Sequence, residues 1–292
     1  MATMRQIRSR IKTAKNIQQI TKAMKMVAAA RLKRAQDRVQ SARPYSEKMR
    51  EMMGSLGRAL AGGSVTNPLL EVREPAQRAG FLIISADRGL CGSYSTNLLK
   101  KATEVVKPFA PEETSVLLVG RKGQVFFRRR ANPIVGEFTL NMTAVTFADA
   151  QTIGRQVRQM YVSGEIDVLY LVYTRFLSAL TQKPTTVQLL PIVAEDALAA
   201  TELPTGGEEY LYEPDAEGIL GRLLPRYVDT VIYQAMAESV ASEHGARMTA
   251  MSSATDNAKK MISNLTLSLN RARQAKITTE LTEIVSGADA LK

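Results

Sequence analysis

The sequence has little of the chemistry on which enzymes depend. Among 292 residues there is one cysteine, Cys91, one histidine, His244, and no tryptophan. The lone cysteine excludes a disulfide within the chain, and no acids and histidines stand at metal-ligand spacing. No apolar run approaches the roughly twenty residues that span a bilayer. These absences argue against a metalloenzyme, a disulfide-stabilised domain and a membrane-spanning protein.

The few candidate catalytic groups have no partners in the sequence. Cys91 follows a predicted strand, where α/β sheets often bind ligands, but no strand-borne histidine can pair with it, so we predict a buried small residue. His244 falls within a predicted helix and is interpreted as a surface or packing residue. Segment 57–64 has the glycine spacing of a phosphate-binding loop, but Gly63 replaces the lysine and no strand precedes it. We therefore predict no catalytic group and no cofactor.

The basic charge is concentrated in the first fifty residues. They contain fourteen Lys or Arg and two acids, Asp37 and Glu47, and hence a net charge of +12, whereas the whole chain carries +11. A strongly basic segment predicts an anionic partner, such as nucleic acid, anionic lipid or an acidic protein surface. A solvated basic face is the alternative interpretation.

The same segment has the pattern of a long helix. Its first proline is Pro44, and if the helix continues to about Gly54 it is roughly 80 Å long, far longer than the helices of ordinary domains. A narrow apolar stripe on such a helix predicts a helical partner of comparable length. The stripe comprises Ile7, Ile11, Ala14, Ile17, Ile20, Met24 and Val27.

From residue 80 the pattern changes to short apolar runs separated by helical stretches. Inner runs that are apolar throughout are typical of a mostly parallel sheet with helices on its faces. Thr146 and Asp149 are spaced as a capping box for one helix, and Gly164 suits its carboxyl end. The predicted strands are 81–85, 115–120, 134–140, 166–174 and 185–193, the last marked as peripheral by Pro184 and Pro191.

Helical periodicity returns near residue 215 and continues to the end, with Pro225 expected to kink or restart the helix. We predict that the two terminal helices pair antiparallel, each burying the apolar stripe of the other. The predicted fold is a Rossmann-like α/β domain combined with a long helical coiled coil. The predicted divisions are an N-terminal helix at 1–58, an α/β domain at 78–205 and a C-terminal helix at 210–292.

Three segments together resemble the gamma subunit of F-type ATP synthases. They are KNIQQITKAMKMVAAARL at 15–32, SADRGLCGSY at 85–94 and ITTELTEIVSGADA at 277–290. The last has the family's Thr-x-Glu core, an acid three residues further on and then Gly-Ala. Segments 210–214 and 242–258 extend the resemblance over essentially the whole chain.

The resemblance implies a non-catalytic rotor subunit. Its paired terminal helices would turn inside a ring of alpha and beta subunits, and its α/β domain would meet the epsilon subunit and the membrane c-ring. Nucleotide and magnesium would bind the alpha and beta subunits. The absence of the cysteine pair of chloroplast members implies a bacterial type, peripheral on the cytoplasmic face of the cell membrane.

The family's coupling contacts can be carried over residue by residue. For each position, packing between the two terminal helices is the alternative role. On the first helix these contacts would fall on Lys22, Met24, Lys25 and Met26, and on the last on Arg247, Arg273, Gln274, Thr278, Glu280 and Glu283. Contacts to the c-ring or epsilon would fall on Tyr210, Leu211, Tyr212 and Glu213.

Two other functions remain as alternatives. A basic coiled coil that binds nucleic acid would account for the +12 segment, although Tyr45 is the only aromatic residue there and base stacking is poorly served. A small-molecule enzyme built on the α/β domain is the third hypothesis.

Overall fold

The computed structural model describes residues 3–59, 67–140, 144–192 and 216–289. The chain divides into two compact units, of which the first joins the two ends of the sequence and the second is one continuous stretch. The two-helix unit comprises Met1–Ala28 and Arg247–Lys292, and the sheet unit comprises Ala29–Ala246. Within the described ranges, no helix has the length and apolar character needed to cross a membrane.

The sheet unit contains a mixed sheet with helices between its strands. The strands in chain order are β1 (Ala79–Ile84), β2 (Thr114–Val119), β3 (Ile134–Phe138), β4 (Val168–Phe176) and β5 (Gln182–Leu190). Their spatial order is β3-β2-β1-β4-β5. All neighbouring pairs are parallel except β4 and β5, which form an antiparallel hairpin. The predicted mostly parallel sheet with a peripheral last strand is confirmed.

The helices between the strands are α2 (Tyr94–Val106), α3 (Arg121–Phe127) and α4 (Phe147–Val162). Thr146 and Asp149 form the predicted capping box at the start of α4, and Gly164 after its end has a φ of 76°. β1 is buried along its whole length, because helices and neighbouring strands cover it on every side. One core cluster joins β1, β2 and β4 to α2 through Phe81, Leu98 and Val116, among other residues.

Both terminal helices are continuous through the proline that each contains. Helix α1 runs from Met4 to Ala59, through Pro44 and past Gly54. The last helix, α5, runs unbroken over Ala216–Asp289 and includes Pro225, so the expectation of a restart near this proline is wrong. Proline removes one helical hydrogen bond. The packing of the α5 residues that follow it compensates for this loss, because Val228, Asp229 and Thr230 are buried.

In the two-helix unit, α1 and α5 pair antiparallel as predicted. Thr255 Oγ1 donates a hydrogen bond to Thr21 Oγ1 at 2.9 Å, and Lys25 Nζ donates to Ser252 Oγ at 3.0 Å. Ascending positions on one helix therefore meet descending positions on the other. Two long helices in this arrangement bury each other's seam.

The seam on α1 differs from the predicted stripe. Within the two-helix unit, the buried positions of α1 recur every seven residues, at Ile7, Ala14, Thr21 and Ala28. The predicted Ile17, Ile20 and Val27 lie outside the seam and are about half exposed. Because small residues allow two helices to approach closely, the alanines and threonine occupy the contact line and the larger side chains remain at its edge.

Candidate interaction surfaces

The first candidate surface lies on α1 around residues 22–26. Lys22, Lys25 and Met26 are exposed, and Met24 is half-buried. Lys25 contributes to the packing of the helix pair, because its ammonium group donates to Ser252 Oγ on α5, while its side chain stays exposed. Lys22 and Met26 face outward from the helix pair and are available to a partner.

The α1 surface is also apolar at places where the sequence predicted a buried stripe. Ile17, Ile20 and Val27 are exposed beside the basic side chains. This mixture differs from a purely solvated basic face, since exposed β-branched residues gain free energy when a partner covers them. Sequence periodicity missed this because isoleucines at a spacing of three or four are compatible with either side of a narrow seam.

The second candidate surface is the last part of α5. The seam on α5 follows alternating steps of four and three residues through Met251, Thr255, Ala258, Ile262, Leu265, Leu269 and Ala272. The Thr21–Thr255 and Lys25–Ser252 contacts place Met4, where α1 begins, opposite about residue 272. Every residue of α5 from 273 to 286 is exposed. This end of the helix, residues 273–286, is called the tip below.

The predicted polar contact residues of the tip point into solvent. Arg273, Gln274, Thr278, Glu280 and Glu283 are all exposed. Thr278 Oγ1 donates to the Gln274 carbonyl oxygen at 3.0 Å, and Glu280 pairs with Lys276 at 3.4 Å one turn away. An exposed pair of this kind stabilises a helix by only a few tenths of a kcal/mol, so the charges of the tip remain available.

The tip also carries an apolar stripe that is out of phase with the seam. Ile277, Leu281 and Ile284 are exposed by 49%, 57% and 67%, with Val285 beside them. Continuing the seam from Ala272 by steps of four and three would place apolar residues at 276, 279 and 283, whereas the stripe residues come one or two positions later. A shift of one residue turns the stripe by about 100° around the helix. The stripe therefore faces a different side from the seam with α1.

The remaining predicted positions differ from the tip. Arg247 lies at the start of the two-helix unit and is buried. Tyr210, Leu211, Tyr212 and Glu213 lie outside the described residues. Within the ranges that the structure describes, no three His, Cys, Asp or Glu side chains come together in a group suited to a metal ion.

Comparison with known proteins identifies the family. The family model described as ATP synthase matches residues 3–291. The chain is 47% identical to the ATP synthase gamma chain of Desulfitobacterium hafniense and 48% identical to that of Heliobacterium modesticaldum, in each case over all of both chains. The chain belongs to the ATP synthase gamma chain family. The predicted resemblance is thereby confirmed, and the nucleic-acid alternative receives no support from these relatives.

Solved structures of other ATP synthases have the same fold. The central stalk and c-ring structure of the Tetrahymena thermophila mitochondrial enzyme contains a chain that matches with a TM-score of 0.58 and 26% identity, covering 80% of this chain and 99% of that one. A chain of the Euglena gracilis mitochondrial enzyme matches with a TM-score of 0.72 and 22% identity, covering 99% and 94%. The combination of long terminal helices with a central sheet is thus the fold of this family.

Proposed function

We propose that this chain is the central-stalk rotor subunit of an F-type ATP synthase. It couples proton-driven rotation of the c-ring to ATP synthesis and hydrolysis at the beta subunits, and it is not itself an enzyme. Its partners are the alpha and beta subunits, the epsilon subunit and the c-ring. Nucleotide and magnesium bind to alpha and beta, and the chain reaches the cytoplasmic face of the cell membrane through the complex.

The exposed tip of α5 is the observation that carries this proposal. Helix α5 has 74 residues and continues past the start of α1, which would be unfavourable in an isolated protein because the apolar stripe of its tip stays in water. A surrounding sleeve of other subunits would cover that stripe. The stripe is narrow, and a non-directional apolar contact can slide, whereas buried ion pairs would hold one angle.

The basic, partly apolar surface of α1 supports the same function. Acidic loops of the beta subunits would meet Lys22, Met24, Lys25 and Met26. Screened attraction between exposed charges is weak enough for this contact to be broken at each step of rotation. On the tip, Arg273, Gln274, Thr278, Glu280 and Glu283 would supply polar contacts. Tyr210–Glu213 would contact epsilon or the c-ring. The buried Arg247 would support the helix pair and would not itself touch another subunit.

The tip stripe gives a direct test in the reconstituted complex. The variant Leu281→Asp with Ile284→Asp places two charges in the stripe, and we expect a loss of chain bound in the alpha–beta ring and of torque in single-molecule rotation. The control is Thr279→Asp with Ser286→Asp, which adds the same charge to the opposite side of the helix. Equal binding and torque for the two variants would contradict the proposed seating of the tip.

The function as a whole is tested by assembly. Purified alpha and beta subunits mixed with the unmodified chain should form a ring with ATPase activity that depends on the chain, and a bead fixed to the sheet unit should rotate when ATP is added. Failure to form such a ring under conditions where alpha and beta are folded would overturn the proposal.

A further inference from the structure

One stretch of α5 in the sheet unit is buried on every side. All eleven residues from 235 to 245 are buried, although a helix on a protein surface normally exposes about half of its circumference. We call this stretch the encased segment. Five of its residues are polar or charged, namely Glu238, Ser239, Ser242, Glu243 and His244. A helix that only needed to be packed would bury apolar residues here.

The encased segment is attached to the carboxyl end of β4 by directional hydrogen bonds. Ser242 Oγ donates to the Thr174 carbonyl oxygen at 3.1 Å, and the Phe176 amide donates to Glu238 Oε2 at 3.3 Å. Both backbone groups lie near the end of β4, beyond Val172, the last residue of β4 that pairs with β1. The side chains of α5 thus bond β4 where β1 no longer pairs with it.

A third bond comes from the start of α2. Tyr94 Oη donates to the Ser239 carbonyl oxygen at 3.2 Å. Burial, and then the charge of Glu243, raise the pKa of Tyr94, so its hydroxyl stays protonated and able to donate. The phenol ring belongs to a buried cluster with Ala86 and Cys91, against which Ala246 packs. Helix α5 is therefore bonded to two different elements of the sheet unit.

An ion pair holds the opposite side of the same helix. Arg158 on α4 pairs with the buried Asp229, and its Nη1 also donates to the Pro225 carbonyl oxygen at 2.9 Å. Asp229 precedes Glu238 by nine residues, which places the two about half a turn apart around the helix and roughly 14 Å apart along it. Contacts on opposite sides and at two levels oppose both rotation of α5 about its axis and tilting.

We propose that the encased segment is a torque clamp, in which Tyr94 and Ser242 are positioning residues that fix the rotational setting of α5 against the sheet. This inference rests on the proposed rotor function, because only a rotor must carry torque between its sheet and its helix. Apolar packing has no preferred angle, whereas a hydrogen bond weakens steeply when its geometry is lost. The buried polar contacts keep the helix from slipping under load.

The test removes two hydroxyl groups without changing the packing volume of the core. The double variant Tyr94→Phe with Ser242→Ala loses one bond to α2 and one to β4. Its matched control is Tyr45→Phe with Ser41→Ala, the same chemical changes on exposed residues of α1 in the same unit. Hydrogen exchange is measured on the whole chain, and proton pumping per ATP hydrolysed is measured on the complete membrane complex.

The clamp predicts two effects of the double variant and none of the control. Amides of residues 235–245 should exchange on the order of tenfold faster, because two buried bonds no longer oppose local opening. The complex should hydrolyse ATP at an unchanged rate but lose pumping per ATP. Two outcomes would overturn the clamp. In the first, the amides of the double variant exchange faster, but its complex pumps as many protons per ATP as the control. In the second, these amides exchange at the same rate as in the control.

The unmodified chain separates this inference from the function on which it rests. If the complex with the unmodified chain neither hydrolyses ATP nor pumps, the proposed function fails and the clamp's role falls with it. If that complex is fully coupled and the double variant is too, only the clamp is wrong.

Discussion

At the scale of single residues, the sheet unit depends on side chains that bond backbone atoms of distant loops. Ser85, after β1, donates from its hydroxyl to the Val119 carbonyl oxygen at 2.9 Å and accepts a bond from the Gly123 amide at 2.8 Å. Asp167, before β4, performs a similar task at the other end of the sheet. Each joins chain segments that lie more than thirty residues apart.

Asp167 provides a prediction about acid stability. Its carboxylate accepts from the Arg78 amide at 2.9 Å and from Arg78 Nη2 at 2.8 Å. The Arg78 side chain is the main cause that holds the pKa of Asp167 below its ordinary 3.8. A carboxyl group with a lowered pKa in the folded state stabilises the fold above its unfolded pKa, and this contribution is lost as the pH falls through the folded value.

We therefore expect Asp167→Asn to lower the free energy of unfolding by about 1 kcal/mol at pH 7. The difference from the unmodified chain should shrink as the pH falls from about 4, where the unfolded carboxyl group begins to take up a proton, through the lower pKa of the native carboxylate. Urea unfolding at several pH values measures this difference in the free energy of unfolding, with Asp256→Asn on the exposed surface of α5 as the control. A difference that stays constant down to pH 2 would show that the charge of Asp167 is not responsible.

At the scale of elements, the packing of α4 on α5 depends on a glycine. Gly154 is buried in α4, directly against the carboxylate of Asp229. A methyl group at this position would overlap that carboxylate and the Arg158 guanidinium beside it. The burial of Asp229 is the main cause that raises the pKa of its carboxyl group, against the opposing effect of Arg158. Because both side chains of the Arg158–Asp229 pair are largely buried, they have little freedom to move away from an added methyl group.

We expect Gly154→Ala to destabilise the chain by about 1–3 kcal/mol, although alanine favours a helix by about 1 kcal/mol over glycine. The control is Gly221→Ala in α5, where the added methyl group meets nothing within 4 Å. That variant should be more stable than the unmodified chain. Urea unfolding of both variants checks the sign, and a stabilised Gly154→Ala would mean that the Arg158–Asp229 pair shifts at little cost.

At the scale of the whole molecule, the excess positive charge is concentrated at the start of the chain. The first fifty residues carry +12, and the other residues together carry −1, since the total is +11. In the two-helix unit, α1 therefore presents a basic surface, and its partner in the helix pair carries no comparable excess. A partner that approaches this unit experiences a field that attracts acidic groups over a distance of about 10 Å.

Met24→Lys is expected to uncouple the complex partly. Met24 is half-buried beside Lys25, so an added ammonium group would strengthen the hold on an acidic loop and resist its release at each step. ATP hydrolysis should continue while proton pumping per ATP falls. The control is Gln19→Lys, which adds the same charge at an exposed position on another side of α1. Full coupling in Met24→Lys would show that Met24 does not face the coupling loop.

Much of this architecture follows from local patterns in the sequence. The capping box at Thr146, the apolar strands and the two long terminal helices depend on residues close together in the chain. Their propensities and periodicities therefore suffice to predict them. The low content of cysteine and histidine, with no tryptophan, likewise argues against a catalytic site and favours a partner surface.

Only the tertiary structure decided which residues of each long helix pack against another element of the chain. The seam of α1 runs through Ala14, Thr21 and Ala28, and not through the larger Ile17 and Ile20, because close approach of two backbones is a property of the pair. The sequence did not reveal the encased segment for the same reason, since the partners of Ser242 and Glu238 lie on β4 and the donor to the Ser239 carbonyl oxygen lies on α2. Sequence alone determined that two long helices need partners. The packing of distant segments determined where α5 is held and where it is left open for other subunits.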